Sequence, residues 1–247
     1  MNDSTSATSP VWPTRWPPNS FTGLWTWLLA GAIAVIFGLV FLAGIRSSGV
    51  PRISSLEFDI LILFQLVFEG ALLLIVLAAL PILSKFSLRE LGFCRPSLGD
   101  IGVAILGAIA MVVFSNGGAS LIEYLAHSRH QQDIVEIFRQ LHDPATIGLF
   151  AGFAVVFAPF AEETFFRVFF FNLGLRYGGF WIGAIVSGLL FGLAHGDAFA
   201  AVPLMLGGIV LCAVYYRTRN AFAPMISHAA FNTLSIVALL VAPGLTS

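Results

Sequence analysis

Ala161-Glu162-Glu163-Thr164-Phe165-Phe166-Arg167 sets two carboxylates and a guanidinium inside a stretch otherwise apolar enough to cross a bilayer. A charge at the centre of a membrane helix costs roughly 2.5–3.5 kcal/mol on insertion scales, so a functional site is the default reading of such residues. The rest of the chain fits that setting. Of its 247 residues, 58% are hydrophobic and 10% charged, whereas ordinary soluble domains carry about 25% charged residues. Mean hydropathy is +0.92. This is the composition of a polytopic membrane protein, and the lipid bilayer is its first partner. Net charge is −1 and the one lysine is Lys85. No basic run tracks phosphates, so composition argues against a nucleic-acid partner. Cys94 and Cys212 form no CxxC and read as unpaired thiols.

A span needs about 20 apolar residues. Working outward from the acidic pair, the segments that qualify or nearly do are 24–45, 60–83, 101–125, 146–175, 180–194, 198–216 and 221–242. The expected fold is an all-α bundle of about seven membrane helices, within limits of six to eight, forming a single domain over 23–247. Pro159 should kink or break the fourth span. Residues 1–22, rich in Ser, Thr, Pro and Trp, read as a mobile polar tail. Trp12, Trp16, Trp25 and Trp27 approach the headgroup level. The first apolar run is too long for a typical signal-peptide core and lacks a clear cleavage site. Gln131–Leu141 carries Ile134, Ile137, Phe138 and Leu141 at helical spacing and reads as a short amphipathic helix on the membrane surface.

Loop charges orient the bundle. Arg15, Lys85, Arg89, Arg95, Arg176, Arg217 and Arg219 fall on one side, against Arg46, Arg52, Arg129 and Arg139 on the other. The positive-inside rule then favours a cytoplasmic N-terminus. Small size and the lack of sorting signals point to a prokaryotic plasma membrane.

Glu163 and Arg167 are four residues apart with the acid on the N-terminal side, the favourable order for a helical pair. Glu162 points about 100° away from that face. His195 closes the apolar run Phe191-Gly192-Leu193-Ala194, and His228 lies in the last span one turn before Asn232. Ala184, Gly188 and Gly192 form a small-residue ridge that lets the fifth span approach a neighbour closely. At about 1.5 Å per residue, Glu162, His195 and His228 lie roughly 21, 22 and 14 Å from the inner boundary, deep enough to share one cavity. A carboxylate beside an imidazole can deprotonate water. A second imidazole with an amide can stabilise an oxyanion. The set points to hydrolysis of an acyl or peptide bond by activated water, and no serine or cysteine has a partnered context for covalent attack.

Glu162-Glu163-x-x-x-Arg167, Phe191-x-x-x-His195 and His228-x-x-x-Asn232 resemble, in order and helical setting, the three motifs of the CAAX protease and bacteriocin-processing family of intramembrane glutamate proteases. The likeness runs over about 88–240 and includes Leu88-Arg89-Glu90-Leu91-Gly92. It implies a type II CAAX endopeptidase-like enzyme that needs no metal or other cofactor. Glu162 and His195 would activate the water, and His228 and Asn232 would stabilise the oxyanion. Glu163 and Arg167 would orient the site or bind substrate. The implied substrate is a membrane-associated peptide or a lipidated, CAAX-like protein. Val168 departs from the glycine that many members carry after the motif arginine, which bears on packing or substrate approach more than on the chemistry.

Two other classes stay open on the residues alone. Glu162, Glu163, His195 and His228 could bind zinc as a metalloprotease site, although HExxH is absent. Alternatively, buried charges could fix helix packing in a scaffold or immunity protein, or line a transporter's pathway. Gln65, Glu69, Asn116 and Glu123 in the second and third spans would suit such a pathway, but no inverted repeat accompanies them.

Overall fold

The structure, a computed structural model, describes residues 21, 23–44, 54–127 and 133–241. Among the described residues the chain is helical and contains no strand. The helices are α1 (Leu24–Gly44), α2 (Ser55–Ser84), α3 (Leu98–Ala126), α4 (Asp133–Gln140), α5 (Pro144–Gly152), α6 (Ala158–Glu163), α7 (Asn172–Ala194), α8 (Ala198–Thr218) and α9 (Phe222–Val241). Two π-helical segments, Phe153–Phe157 and Thr164–Phe171, join α5 to α6 and α6 to α7.

Local sequence sets the ends. Ser54 with Glu57 and Ser97 with Asp100 form capping boxes at the starts of α2 and α3, satisfying backbone donors that would otherwise be orphaned. Asp143 caps α5 by accepting from the Thr146 N–H at 3.0 Å. That bond, with a second from the Thr146 hydroxyl, holds the Asp143 carboxyl below its ordinary range.

Among the described residues, six stretches are long and apolar enough to cross a membrane: Leu24–Ala43, Ser55–Ser84, Leu98–Ala126, Pro144–Ala194, Ala198–Thr218 and Phe222–Val241. The chain is thus an integral membrane helical bundle. The fourth stretch, 51 residues long, folds back on itself. Gly179 adopts φ 69° and ψ −171° inside α7, a conformation essentially restricted to glycine. Beyond it, Gly183 lies backbone to backbone against Gly174, and the Ser187 hydroxyl donates to the Phe166 carbonyl at 2.7 Å. The seven expected spans are therefore six apolar stretches, one of them a hairpin of two limbs.

Pro159 does not break its helix. The Ala158 N–H reaches back to the Phe153 carbonyl in the wider π register, and the helix runs on through α6. Widening the turn makes room for the ring that would otherwise clash one turn back.

The small-residue ridge does what its spacing predicts. A Cβ at Gly188 would stand 2.7 Å from the Met205 carbonyl, and one at Gly192 would strike that of Ala201, so α7 and α8 meet at backbone distance. Gly107, Gly118 and Gly207 give α3 and α8 a similar approach. At one end of the bundle the Leu88–Gly92 stretch is tied to the α8–α9 junction. The Gly92 carbonyl accepts from the Ala221 N–H at 2.8 Å, and the Tyr215 hydroxyl donates to the Leu91 carbonyl at 2.9 Å.

Two surface expectations need adjusting. Helix α4 forms, but Phe138 and Leu141 are buried against Phe58, Ile62 and Ile236, so much of its apolar face is spent on protein. Phe138 lies 5.2 Å from the Phe150 ring, which supplies the apolar partner a lipid surface would otherwise provide. The tail of 1–22, with Trp12 and Trp16, lies outside the described residues except for Phe21. That ring is buried beside Phe169, and its carbonyl accepts from the Tyr177 hydroxyl at 3.2 Å.

Gly183→Ala is expected to destabilise the protein by about 1–3 kcal/mol, because the new methyl would meet backbone that cannot retreat. A Cβ at Gly117 meets nothing within 4 Å, so Gly117→Ala should be neutral or stabilising. Thermal unfolding in detergent micelles compares them, and equal melting points would contradict the hairpin packing.

Candidate active site

The site begins with a backbone irregularity. Since Ala158 bonds to Phe153 and Pro159 has no N–H, the next carbonyl, Ala154, loses its natural donors. The Asn232 side chain fills the gap, its amide donating to the Ala154 carbonyl at 2.7 Å. This bond ties α9 to the turn that presents the acidic pair. It engages one of the two N–H groups an asparagine amide carries.

Glu163 and Arg167 form the expected pair, Nη1 to Oε1 at 2.9 Å, with both side chains at 0% exposure. The same Oε1 lies 2.9 Å from His228 Nδ1. Arg167 is held on two further sides. Its Nη2 donates to the Gly208 carbonyl at 3.3 Å, and its guanidinium faces the Phe191 ring at 4.5 Å. Gly208 permits this, since a Cβ there would stand 3.3 Å from that same nitrogen.

His228 stands between the two acids. When Nδ1 donates to Glu163, Nε2 is left facing Glu162, whose Oε2 is 3.8 Å away. Glu162 Oε2, Glu163 Oε2 and Arg167 Nε are buried without a hydrogen-bond partner. Unsatisfied buried polar atoms are uncommon and mark places where a ligand or water can bind.

His195 reaches this group through Phe191. It ends α7, and its Nδ1 lies 2.8 Å from the Phe191 carbonyl. The His195 and His228 rings are 4.9 and 5.6 Å from the Phe191 ring, each edge-on. The four-residue spacing of Phe191 and His195 thus has a physical meaning. One aromatic ring packs against both imidazoles and also faces Arg167.

Glu162, Glu163, Arg167 and His228 therefore form one ionic cluster. His195 joins it across Phe191, and Asn232 braces it through Ala154. Sequence reasoning missed Phe191 as the shared ring, Gly208 as the opening for Arg167, and the pairing of Asn232 with the proline-vacated carbonyl. Glu69 was visible as a polar residue in an apolar span. The structure leaves its Oε2 buried without a hydrogen-bond partner on α2, which packs against α6 and both π segments. Among the described residues, no group of three or more His, Cys, Asp or Glu side chains is arranged to hold a metal ion.

The family model described as Type II CAAX prenyl endopeptidase Rce1-like matches residues 144–234. That interval contains all three motifs. The chain resembles this family. It is 26% identical over 175 residues to "Putative membrane peptidase YdiL" of Bacillus subtilis (strain 168), covering 68% of this chain and 67% of the relative. It is 28% identical over 236 residues to "Membrane-embedded CAAX protease MroQ" of Staphylococcus aureus (strain USA300), covering 90% and 92%. No solved structure matches. The likeness is to membrane peptidases.

Arg167→Ala is expected to cost about 3–5 kcal/mol of stability, because it strands Glu163 in a buried position. Glu163→Gln combined with Arg167→Met should recover most of that loss, since no lone charge remains. Chemical unfolding of the three proteins in micelles provides the comparison. A double variant as unstable as Arg167→Ala would show that packing, not charge, dominates at this position.

Proposed function

We propose that this chain is an intramembrane endopeptidase that hydrolyses a peptide bond with a water activated by Glu162 and His195. The observation that carries the reading is the position of His228. It spans the two adjacent glutamates, bonded to one and facing the unpartnered oxygen of the other.

The residues divide the work as follows. Glu162 and His195 hold the water, and Glu162 takes its proton as the water oxygen bonds to the scissile carbonyl carbon. The carbonyl oxygen becomes an oxyanion, which the remaining Asn232 N–H and the Nε2–H of a His228 imidazolium, its Nδ1–H still donating to Glu163, stabilise. The proton passes from Glu162 to the amide nitrogen as the carbon–nitrogen bond breaks, and the amine departs. Arg167 fixes Glu163, and Glu163 fixes the His228 ring through Nδ1, so the catalytic face of the imidazole is set before substrate arrives. No metal or other cofactor is required.

The substrate is a membrane-associated peptide, and the CAAX descriptions of the matching family and of the S. aureus relative favour a lipidated one. Relatives from two bacteria support a bacterial plasma membrane. The loop charges support a cytoplasmic N-terminus.

The test is cleavage of S-farnesylated and plain peptides by the purified protein. Glu162→Ala and His195→Ala should each lower kcat/KM by about 10²-fold or more, the scale of a general base, while both variants stay folded and inserted. A variant that still cuts at near wild-type rate would remove that residue from the mechanism. A chelator should leave activity unchanged. Stoichiometric zinc, with activity lost on chelation and restored by zinc, would replace this mechanism with a metalloprotease one.

A further inference from the structure

Helix α3 carries a polar strip that the hydrolytic site does not use. Asn116, Ser120, Glu123 and His127 follow one another at spacings of four, three and four residues. At about 100° per residue they fall within a strip roughly 60° wide. The opposite face of α3, which includes Ala104, Gly107, Ser115 and Gly118, is buried against α8 and α9. On the strip itself Asn116, Ser120 and His127 are exposed and Glu123 is half-buried. Ile105, Ile109 and Val113, also exposed, continue it toward the start of the helix.

Asn116 stands apart from every other amide of its kind. Four asparagines fall among the described residues. Asn172, Asn220 and Asn232 each donate to a carbonyl of the bundle. The exposed hydroxyls of Thr233 and Ser235 return to carbonyls of their own helix. Asn116 is exposed, and its side chain makes no hydrogen bond among the described residues. Its neighbour fixes its depth. A Cβ at Gly207 would stand 2.8 Å from Ser115 Oγ, and the next residue, Gly208, accepts from Arg167. Asn116 therefore sits level with the buried ion pair, where lipid offers an amide no partner. Gly107 meets Val214 and Gly118 meets Pro203, so α3 and α8 run antiparallel. Five residues beyond Gly118, Glu123 comes level with the first residues of α8, at the margin of the span.

An exposed amide inside a span finds its partner on another helix, and the strip is complementary to itself. An amide both donates and accepts, and so does a hydroxyl. The strip then ends in an acid and an imidazole one turn apart. Groups that pair with their own copies suit an isologous contact. We propose that two copies of this chain associate through α3 about a two-fold axis along the membrane normal. That axis sets equal residues at equal depth. The two Asn116 amides exchange hydrogen bonds within the membrane, and the two Ser120 hydroxyls meet one turn further on. At the margin, Glu123 of each copy pairs with His127 of the other, the two residues being offset by about 6 Å along the helix. Ile105, Ile109 and Val113 pack against their counterparts on the other side of Asn116. The contact lies on the face of α3 turned away from α8 and α9, clear of the Glu162–His228 cluster. It holds whether or not that cluster cuts peptides.

The test is self-association of the purified full-length protein, labelled with donor or acceptor fluorophores and reconstituted into liposomes at decreasing protein-to-lipid ratio. Wild type should show energy transfer that follows a monomer–dimer equilibrium. Asn116→Leu should weaken association by about tenfold or more, the scale of one interhelical polar contact, with helical content unchanged. Asn116→Gln keeps an amide and should retain most of the association. Thr233→Val removes a hydroxyl that bonds its own helix and should match wild type. Glu123→Arg should weaken the dimer, and adding His127→Glu should restore it. Ile109→Cys should form an intermolecular disulfide under a membrane-permeant oxidant, whereas Leu63→Cys, exposed on α2, should not. A wild type that is monomeric at every ratio would overturn the proposal, and so would an Asn116→Leu variant that associates as tightly as wild type. A monomeric wild type that draws a different membrane protein from native membranes, and loses it in Asn116→Leu, would assign the strip to that protein instead.

Discussion

The buried Glu163 carboxylate organises the site. It accepts from a guanidinium on its own helix and from an imidazole on α9, and the guanidinium in turn reaches the backbone of α8. Three helical elements thus converge on one carboxylate. Desolvating such charges is expensive, and a buried pair holds only when its remaining hydrogen-bonding groups are satisfied. The Gly208 carbonyl and the face of Phe191 supply part of that requirement for Arg167. Once Glu163 is committed this way, its neighbour Glu162 is left with 16% side-chain exposure and a partnerless oxygen. Adjacent residues with the same side chain are given different environments by the 100° turn between them.

The backbone around the acids is as unusual as the charges. Within lipid, every carbonyl needs an internal donor, and π turns change which carbonyl meets which N–H. Side chains make up the difference. Asn232 serves Ala154, Ser187 serves Phe166, Asn172 serves Val168 and the Thr164 hydroxyl serves Phe160. Two of these four donors, Asn232 and Ser187, come from beyond the segment, so the bundle shares with local sequence in holding the irregular backbone. Asn172 also donates to the Tyr215 hydroxyl, which reaches the Leu91 carbonyl. Packing near the acidic pair is thereby connected to the Leu88–Gly92 loop at one end of the bundle.

What the sequence made legible was whatever the helix repeat encodes. The Glu163–Arg167, Phe191–His195 and His228–Asn232 pairs each lie one turn apart, so their shared faces followed from spacing. The same rule marked Ala184, Gly188 and Gly192 as a close-packing ridge. Contacts across the bundle had no such signature. Glu163 and His228 are 65 residues apart, and Asn232 and Ala154 are 78 apart. Nothing in composition selects those partners over other polar residues in the spans. Pro159 predicts a kink or a break because proline usually ends the hydrogen-bond ladder. The wider register that lets the helix continue depends on a donor from α9, which local sequence does not contain. The fold-back at Gly179 coincided with the gap between two apolar segments, but its tightness required Gly174 and Gly183 to meet face to face.

In the proposed mechanism Asn232 serves both fold and chemistry. Its bond to Ala154 is structural, since without it a carbonyl vacated by proline would remain unpaired in an apolar setting. The same bond fixes the amide plane, which fixes the direction of its second N–H. His228 follows the same pattern, one ring nitrogen spent on Glu163 and the other turned toward Glu162. In each case half of a bifunctional group is used to hold the other half in position. A site built this way needs little reorganisation when charge develops on a substrate oxygen, which is the condition under which preorganised donors lower a barrier most.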